Sequence, residues 1–393
     1  MKCVHRIADN ELVLLQNGTV FFPQLCADIQ AAQHSIYLET YIFAADETGQ
    51  RVAAALQCAA ARGVAVRLLL DGFGSAELSE HYVQQLRSQG IQVQWFRREI
   101  SPFTWQRSRK RRLLRLHRKM AVIDGEVAFI GGINIIDDIP QHSDFTAPRL
   151  DYAVRLQGTL AAEIHLAMRH LWGVVSWASI RRRGKEIRQF ILHEEAAVFT
   201  PEIALLLRDN LRHRRDIERA YLKAILGAQR EIIIANPYFL PGSVFRRALK
   251  HAARRGVRVV LLLQGKVEYR LQHYATHALY DQLLAAGVEI YEYQASYLHA
   301  KVAVVDEQWS TVGSSNIDPF SLLLAREANL VIQHQDFARE LRESLLSAIA
   351  VDALRIGTEY CDRPNYFARL IARLCYGFVR ILIGVLRLRR QGT

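Results

Sequence analysis

Two stretches of this chain repeat one uncommon order of residues, and the repetition restricts the fold to one built twice. The first runs Leu116-His117-Arg118-Lys119, then Asp124, then Gly131-Gly132-Ile133-Asn134. The second runs Leu298-His299-Ala300-Lys301, then Asp306, then Gly313-Ser314-Ser315-Asn316. In each copy the Asn follows the His by seventeen residues (117 to 134, 299 to 316). One His-x-Lys-x4-Asp is a weak signal in a chain with 14 histidines, but two with their Asn in register are not a chance pair. Two exposed basic strands, the competing reading, would leave the shared spacing unexplained.

An imidazole and an ammonium two residues apart on a strand project to the same face. Val302 to Val305 supplies the strand, and Gly313-Ser314-Ser315-Asn316 supplies a tight turn rich in donors. Such a face holds a phosphate: Lys301, Ser314 and Asn316 donate to its oxygens, while His299 attacks phosphorus or moves a proton. Lys119, Asn134 and His117 take these parts in the first copy, where Gly132 stands in place of Ser314. Asp124 and Asp306 complete the two motifs as catalytic candidates, with turn formation as their alternative role.

The segments around the motifs repeat as well. In the first half, helices are predicted over 22–33, 50–62 and 77–88, and strands over 35–43, 64–70 and 91–96. The second half predicts helices over 217–228, 243–255 and 274–286, with strands over 231–235, 257–263 and 288–293. Gly63, Gly90, Gly256 and Gly287 follow their helices as left-handed caps. Whole α/β units written twice imply duplication, with two α/β halves packed as a pseudodimer around one active site. The expected divisions are 1–195, 196–350 and a basic amphipathic tail over 351–393.

A pseudo-twofold axis would bring His117 and His299 to opposite sides of one cleft. In-line displacement at phosphorus needs a nucleophile on one side and a proton donor on the other, and imidazole suits both tasks. Lys119, Lys301, Asn134 and Asn316 would stabilise the equatorial oxygens. No acidic cluster is spaced to hold a metal, so neither metal nor cofactor is expected. Each imidazole needs an acceptor to fix its tautomer. Glu327, on the strand after Asn316, is the expected partner of His299, and Asp151 the expected partner of His117.

The doubled motif resembles the phospholipase D superfamily. Within it the chain resembles bacterial cardiolipin synthases over about residues 10 to 350. Glu39-Thr-Tyr-Ile-Phe43, Asp71-Gly-Phe-Gly-Ser75, Asn236-Pro-Tyr-Phe239 and Val312-Gly-Ser-Ser-Asn-Ile-Asp-Pro319 carry the resemblance beside the motifs. It implies a phosphatidyltransferase in which one His takes a phosphatidyl group from a phospholipid, commonly phosphatidylglycerol. The other His then activates a lipid alcohol to yield cardiolipin; by analogy, His117 is the nucleophile and His299 the acid/base. A phospholipase D-type hydrolase, or a nuclease or other phosphodiesterase of the superfamily, is the alternative. Many family members begin with two membrane-spanning helices; this chain resembles the shorter branch without them. Ala325 stands where the family often has Asn.

Composition sets the partners. The net charge of +12 selects polyanions, and the resemblance narrows these to phospholipid substrates and an anionic membrane surface rather than nucleic acid. The five cysteines are odd in number and widely spaced, which favours a reducing compartment. With no signal peptide and no long apolar run, the expected location is peripheral, on the cytoplasmic side of the inner membrane. Arg107-Ser-Arg-Lys-Arg-Arg-Leu-Leu-Arg115 is a candidate clamp for lipid head groups, and Arg181-Arg-Arg-Gly-Lys185 a weaker basic patch. Residues 366–390 read as a helix with Arg369, Arg373, Arg380 and Arg387 in one narrow stripe. An interfacial helix among anionic head groups is the favoured reading, and packing on the protein's own core the alternative.

Overall fold

The computed structural model describes residues 3–97, 115–139, 145–180, 198–199, 202–209, 213–318 and 325–357, with 371–372, 374–378 and 381. Most of the 107–115 basic run, the 181–185 patch and all four tail arginines lie outside these residues, and so does the expected boundary at 195.

The first half runs β1 (His5–Ile7), β2 (Asn10–Gln16), α1 (Asn17–Ala31), β3 (Ser35–Thr40), α2 (Glu47–Ala61), β4 (Ala65–Asp71), α3 (Glu80–Ser88) and β5 (Gln92–Phe96). It continues with β6 (Arg115–Leu116), β7 (Met120–Ile123), β8 (Val127–Gly131), β9 (Tyr152–Gly158) and α4 (Thr159–Ile180). The second half runs β10 (Val198–Phe199), β11 (Ile203–Arg208), α5 (Asp216–Gly227), β12 (Glu231–Asn236), α6 (Ser243–Arg254), β13 (Arg258–Gln264), α7 (Arg270–His277) and α8 (Tyr280–Leu284). Then come β14 (Glu289–Tyr293), β15 (Val302–Val305), β16 (Trp309–Gly313), β17 (Ala325–Gln333), α9 (Gln335–Asp352) and β18 (Ala353–Ile356).

Strand order shows the duplication directly. The first sheet is β1-β2-β9-β8-β7-β3-β4-β5 and the second β10-β11-β17-β16-β15-β12-β13-β14-β18, position for position the same until the added β18. In each, a parallel trio (β3-β4-β5, β12-β13-β14) is joined to an antiparallel meander through the strand that follows the His-x-Lys segment. The parallel strands are near-continuous apolar runs, such as Leu68-Leu69-Leu70 and Val259 to Leu263, because both of their faces are covered. Gly63 and Gly256, at φ +91° and +90°, turn the chain from helix back to strand in the left-handed conformation that side chains resist.

Three apolar layers result. Outer helices cover each sheet: Leu25, Val52 and Leu56 lie on the first, and Ile225, Phe245 and Leu249 on the second. The inner faces share one core, in which Leu12, Tyr152 and Val154 meet Leu205, Leu330 and Ile332, and to which α4 and α9 contribute. That shared core is what makes two repeats one body.

Two expectations change. The helix predicted over 274–286 is two short helices, α7 and α8, and the break at Ala278–Leu279 lets Tyr280 reach the buried Glu292, its hydroxyl donating at 2.9 Å. Residues 353–356, expected in the tail, pair antiparallel with β14 and belong to the second sheet. The described part of the tail is helical; Ala372 is buried, and Cys375 and Tyr376 pack on the outer core of the second half. Leu374, Phe378 and Ile381 face outward at helical spacing. Among the described residues, no helix is long and apolar enough to cross a membrane.

Candidate active site

Each His-x-Lys segment lies just ahead of its strand and is hydrogen-bonded to the other half. β6 pairs in parallel with β17, with Arg115 opposite Ala325 and Leu116 opposite Arg326, and the His117 N–H donates to the Arg326 carbonyl at 2.9 Å. The counterpart is a bridge between Leu150 and Leu298, with the His299 and Ala300 N–H groups both donating to the Leu150 carbonyl at 2.9 Å. One residue further along, these registers set Glu327 beside His117 and Asp151 beside His299.

The carboxylates therefore cross between halves, reversing the pairing expected from sequence. His117 Nδ1 lies 3.0 Å from both Glu327 carboxylate oxygens and 3.1 Å from the Ser314 carbonyl. His299 Nδ1 lies 2.5 Å from Asp151 Oδ2. The physical reason is the exchange of backbone pairing at the sheet edges: a strand neighbour supplies the acceptor, and that neighbour belongs to the opposite repeat. A carboxylate only accepts, so Nδ1 carries the proton in the neutral ring and Nε2 keeps its lone pair. The two histidine side chains retain 14% and 20% exposure, whereas Glu327 has none.

Lys119 donates to the His117 carbonyl at 2.8 Å, and Lys301 donates to that of His299. Both ammonium groups are buried within the fields of Asp151 and Glu327. Burial holds Lys119 well below the ordinary lysine range and brings Lys301 down to about 8, against the pull of the two carboxylates. His299 is pushed well below the usual imidazole value by burial and then by Lys301, Lys119 and His117. His117 is also lowered by burial, with Glu327 opposing. Asp151 is raised to about 6 by burial, which outweighs Lys301. Two histidines and two lysines that repel one another's protons form a preorganised anion site.

The remaining candidates separate. Ser314 is not a free hydroxyl: its Oγ donates to Glu327 Oε2 at 2.5 Å and accepts from the Ala328 N–H at 3.1 Å, fixing the carboxylate that fixes His117. A Cβ at the matching Gly132 would lie 2.2 Å from Asp151 Oδ1, which explains the glycine. Asn134 is buried, and its Oδ1 accepts from the Ile42 N–H at 3.3 Å; Asn316 is buried beside Glu218, Tyr221 and Phe245. Asp124 and Asp306 are corrected to structural roles. Asp124 accepts from the N–H groups of Gln33, His34 and Ser35, and Asp306 from those of Gln229, Arg230 and Glu231. Each ties a helix-to-strand turn away from the histidines.

Sequence reasoning missed Tyr41 and Arg208. Tyr41 packs edge-on against His117 at 4.7 Å between centroids and lies under Lys119 Nζ at 5.1 Å. Arg208 is fully buried on β11, opposite Glu327 in the ladder, and counters its charge. An arginine closing the apolar run Ile203-Ala-Leu-Leu-Leu207 was the available signal.

Two half-sites that each lend a carboxylate to the other's histidine define an enzyme of phosphodiester exchange, built as a duplicated phospholipase D-like fold. A sequence model of the family "Cardiolipin synthase, PLD-like domain" matches residues 25–139 and 221–349, and the chain belongs to that family. It is 39% identical to cardiolipin synthase B of Shigella flexneri over 97% of this chain and 90% of that one. It is 31% identical to cardiolipin synthase of Geobacillus kaustophilus over 90% of this chain and 69% of that one. The phosphatidylserine synthase of Haemophilus influenzae shares the fold, with a TM-score of 0.69 and 15% identity, covering 98% of this chain and 96% of that one.

Proposed function

We propose that the chain is a cardiolipin synthase-type phosphatidyltransferase working through a phosphohistidine, with phosphatidylglycerol as both donor and acceptor. The crossed dyads carry this reading, because they supply two oriented imidazoles to one phosphate site. His117 Nε2 attacks phosphorus, its ring held by Glu327; the P–O bond to the glycerol head group breaks, and the His299–Asp151 pair gives the leaving oxygen its proton. A hydroxyl of a second phosphatidylglycerol then gives its proton back to that pair. Its oxygen attacks phosphorus, the P–N bond breaks, and His117 is restored. With Asp151 raised to about 6, the pair takes up one proton beyond the Nδ1–H just below neutral pH, and that proton is the one given to the leaving oxygen and later regained. Lys119 and Lys301 offset the charge of the transition state.

The enzyme meets its substrates at an anionic membrane surface, peripherally and from the cytoplasmic side. The net charge of +12 and the outward Leu374, Phe378 and Ile381 support this reading.

One experiment addresses both points. Full-length protein incubated with phosphatidylglycerol liposomes should form cardiolipin and glycerol, sediment with the vesicles, and leave plasmid DNA intact. His117→Ala and His299→Ala should each lose about 10^4-fold in turnover, and Phe378→Glu should lower the sedimenting fraction. Phosphatidic acid as the sole lipid product, or nicked DNA without lipid turnover, would sink the transferase reading. Unchanged sedimentation of Phe378→Glu would remove the tail as a contact.

A further inference from the structure

Beside the phosphate site, in the second half, the loop after β13 and helix α7 line a cleft open to solvent. Tyr238, Gln264, Lys266, Glu268, Tyr269 and His273 line it. It adjoins the reacting groups: the charge of Glu268 acts on Lys301, Tyr269 acts on Tyr41, and the Tyr238 hydroxyl donates to Glu268. Gln264 joins the two regions, since its Oε1 accepts from the N–H of Leu298, the residue before His299, at 2.6 Å.

The first half shows what is different here. Its matching residue is Asp71, the last of β4, whose Oδ2 accepts from the Leu116 N–H at 2.7 Å. Asp71 Oδ1 takes the N–H groups of Phe73 and Gly74 at 2.9 and 3.0 Å, so both oxygens of this carboxylate accept backbone N–H groups. The same backbone-holding task in the second half is done by an amide, which brings a donor the task does not need. Gln264 is only 7% exposed, and its Nε2 has no hydrogen-bond partner among the described residues. A buried N–H2 without an acceptor is costly, and such a group persists where a ligand supplies the missing oxygen.

The lining selects the ligand. An ammonium head group has no lone pair for Gln264, and a second phosphate or a carboxylate would face Glu268. A hydroxyl accepts from the amide and donates to the carboxylate, while Tyr238 and Tyr269 offer flat faces to its C–H groups. We propose that this cleft is the acceptor subsite, taking the vicinal hydroxyls of a glycerol-type head group, with Gln264 Nε2 donating to one and Glu268 accepting from the other. The assignment rests on the phosphatidyltransfer reading above and adds which half receives the incoming alcohol.

The test offers 1,2-propanediol and 1-propanol in competition to the full-length protein on phosphatidylglycerol liposomes, with both phosphatidyl products measured by mass spectrometry. The wild type should favour the diol by about tenfold or more, as a site built to bind a hydroxyl does. Gln264→Glu keeps an acceptor for Leu298, as Asp71 does for Leu116, and should bring the ratio close to one. Glu268→Gln, on an exposed side chain, should lower it without endangering the fold. No diol preference in the wild type, or a preference unchanged in both variants, overturns the subsite alone. No transfer to any alcohol, with no cardiolipin formed, overturns the transferase reading and the subsite with it.

Discussion

The two half-sites share their scaffold and differ in what surrounds the carboxylate. Glu327 is fully buried, bonded by the Ser314 hydroxyl and faced by the Arg208 guanidinium. Asp151 has Gly132 in place of the serine, and the ladder position matching Arg208 is Asn17, which bonds only the Asp151 backbone. Burial pushes Asp151 up to about 6, against Lys301 and the Tyr152 N–H. By contrast, the parts that build the fold are duplicated faithfully: Asp124 and Asp306 each bind three backbone N–H groups, and each Lys caps the carbonyl of its own His. Duplication kept the frame identical while the carboxylate environments diverged, and that divergence gives chemically equivalent histidines different protonation behaviour.

The sharpest way to break this comparison is to exchange the residues beside the carboxylates. Gly132→Ser places a Cβ within 2.2 Å of Asp151 Oδ1 and must displace the group that orients His299. A displacement near 1 Å at such a position costs about 10^2-fold in turnover. Ser314→Gly removes one hydrogen bond from a carboxylate that Arg208 still faces, and should cost about tenfold. Turnover on phosphatidylglycerol measures both, and equal losses would mean that the half-sites are held alike.

A smaller effect separates the dyads by pH. kcat/KM should fall as pH rises through about 6, where the Asp151–His299 pair loses the proton it gives to the leaving oxygen. Glu327→Gln should keep that alkaline limb, although slowed, and Asp151→Asn should lose it. Stability carries the same signature. Asp151 is raised from 3.8 to about 6, so the folded state binds this proton more tightly than the unfolded chain. Its contribution falls as pH rises from about 4 to about 6, and the cost persists above that range. Thermal melts of Asp151→Asn should lack this slope; an identical slope in wild type and variant would place the titration elsewhere.

The smallest difference is expected where the halves agree. Asp124→Ala and Asp306→Ala should each lose about 1–3 kcal/mol of stability, through three backbone donors left without their acceptor. Activity per folded molecule should change little. Denaturant unfolding and active-site turnover check this, and a large activity loss from either would return it to the catalytic set.

Much of this was legible from residue order. The duplication, the paired histidines and lysines, most helix and strand positions, and the inequality of Gly132 and Ser314 follow from spacing and periodicity, because those are properties of local chain geometry. Which carboxylate serves which histidine did not follow. Glu327 lies nearest His299 along the chain, yet it meets His117, because β6 pairs with β17 across the two repeats. The countercharge from Arg208 and the packing of Tyr41 on His117 are equally contacts between segments far apart in sequence. A repeat pattern specifies what each half can do alone. Only the packing of the two inner sheet faces, driven by the apolar core they share, decides which groups of one half complete the other.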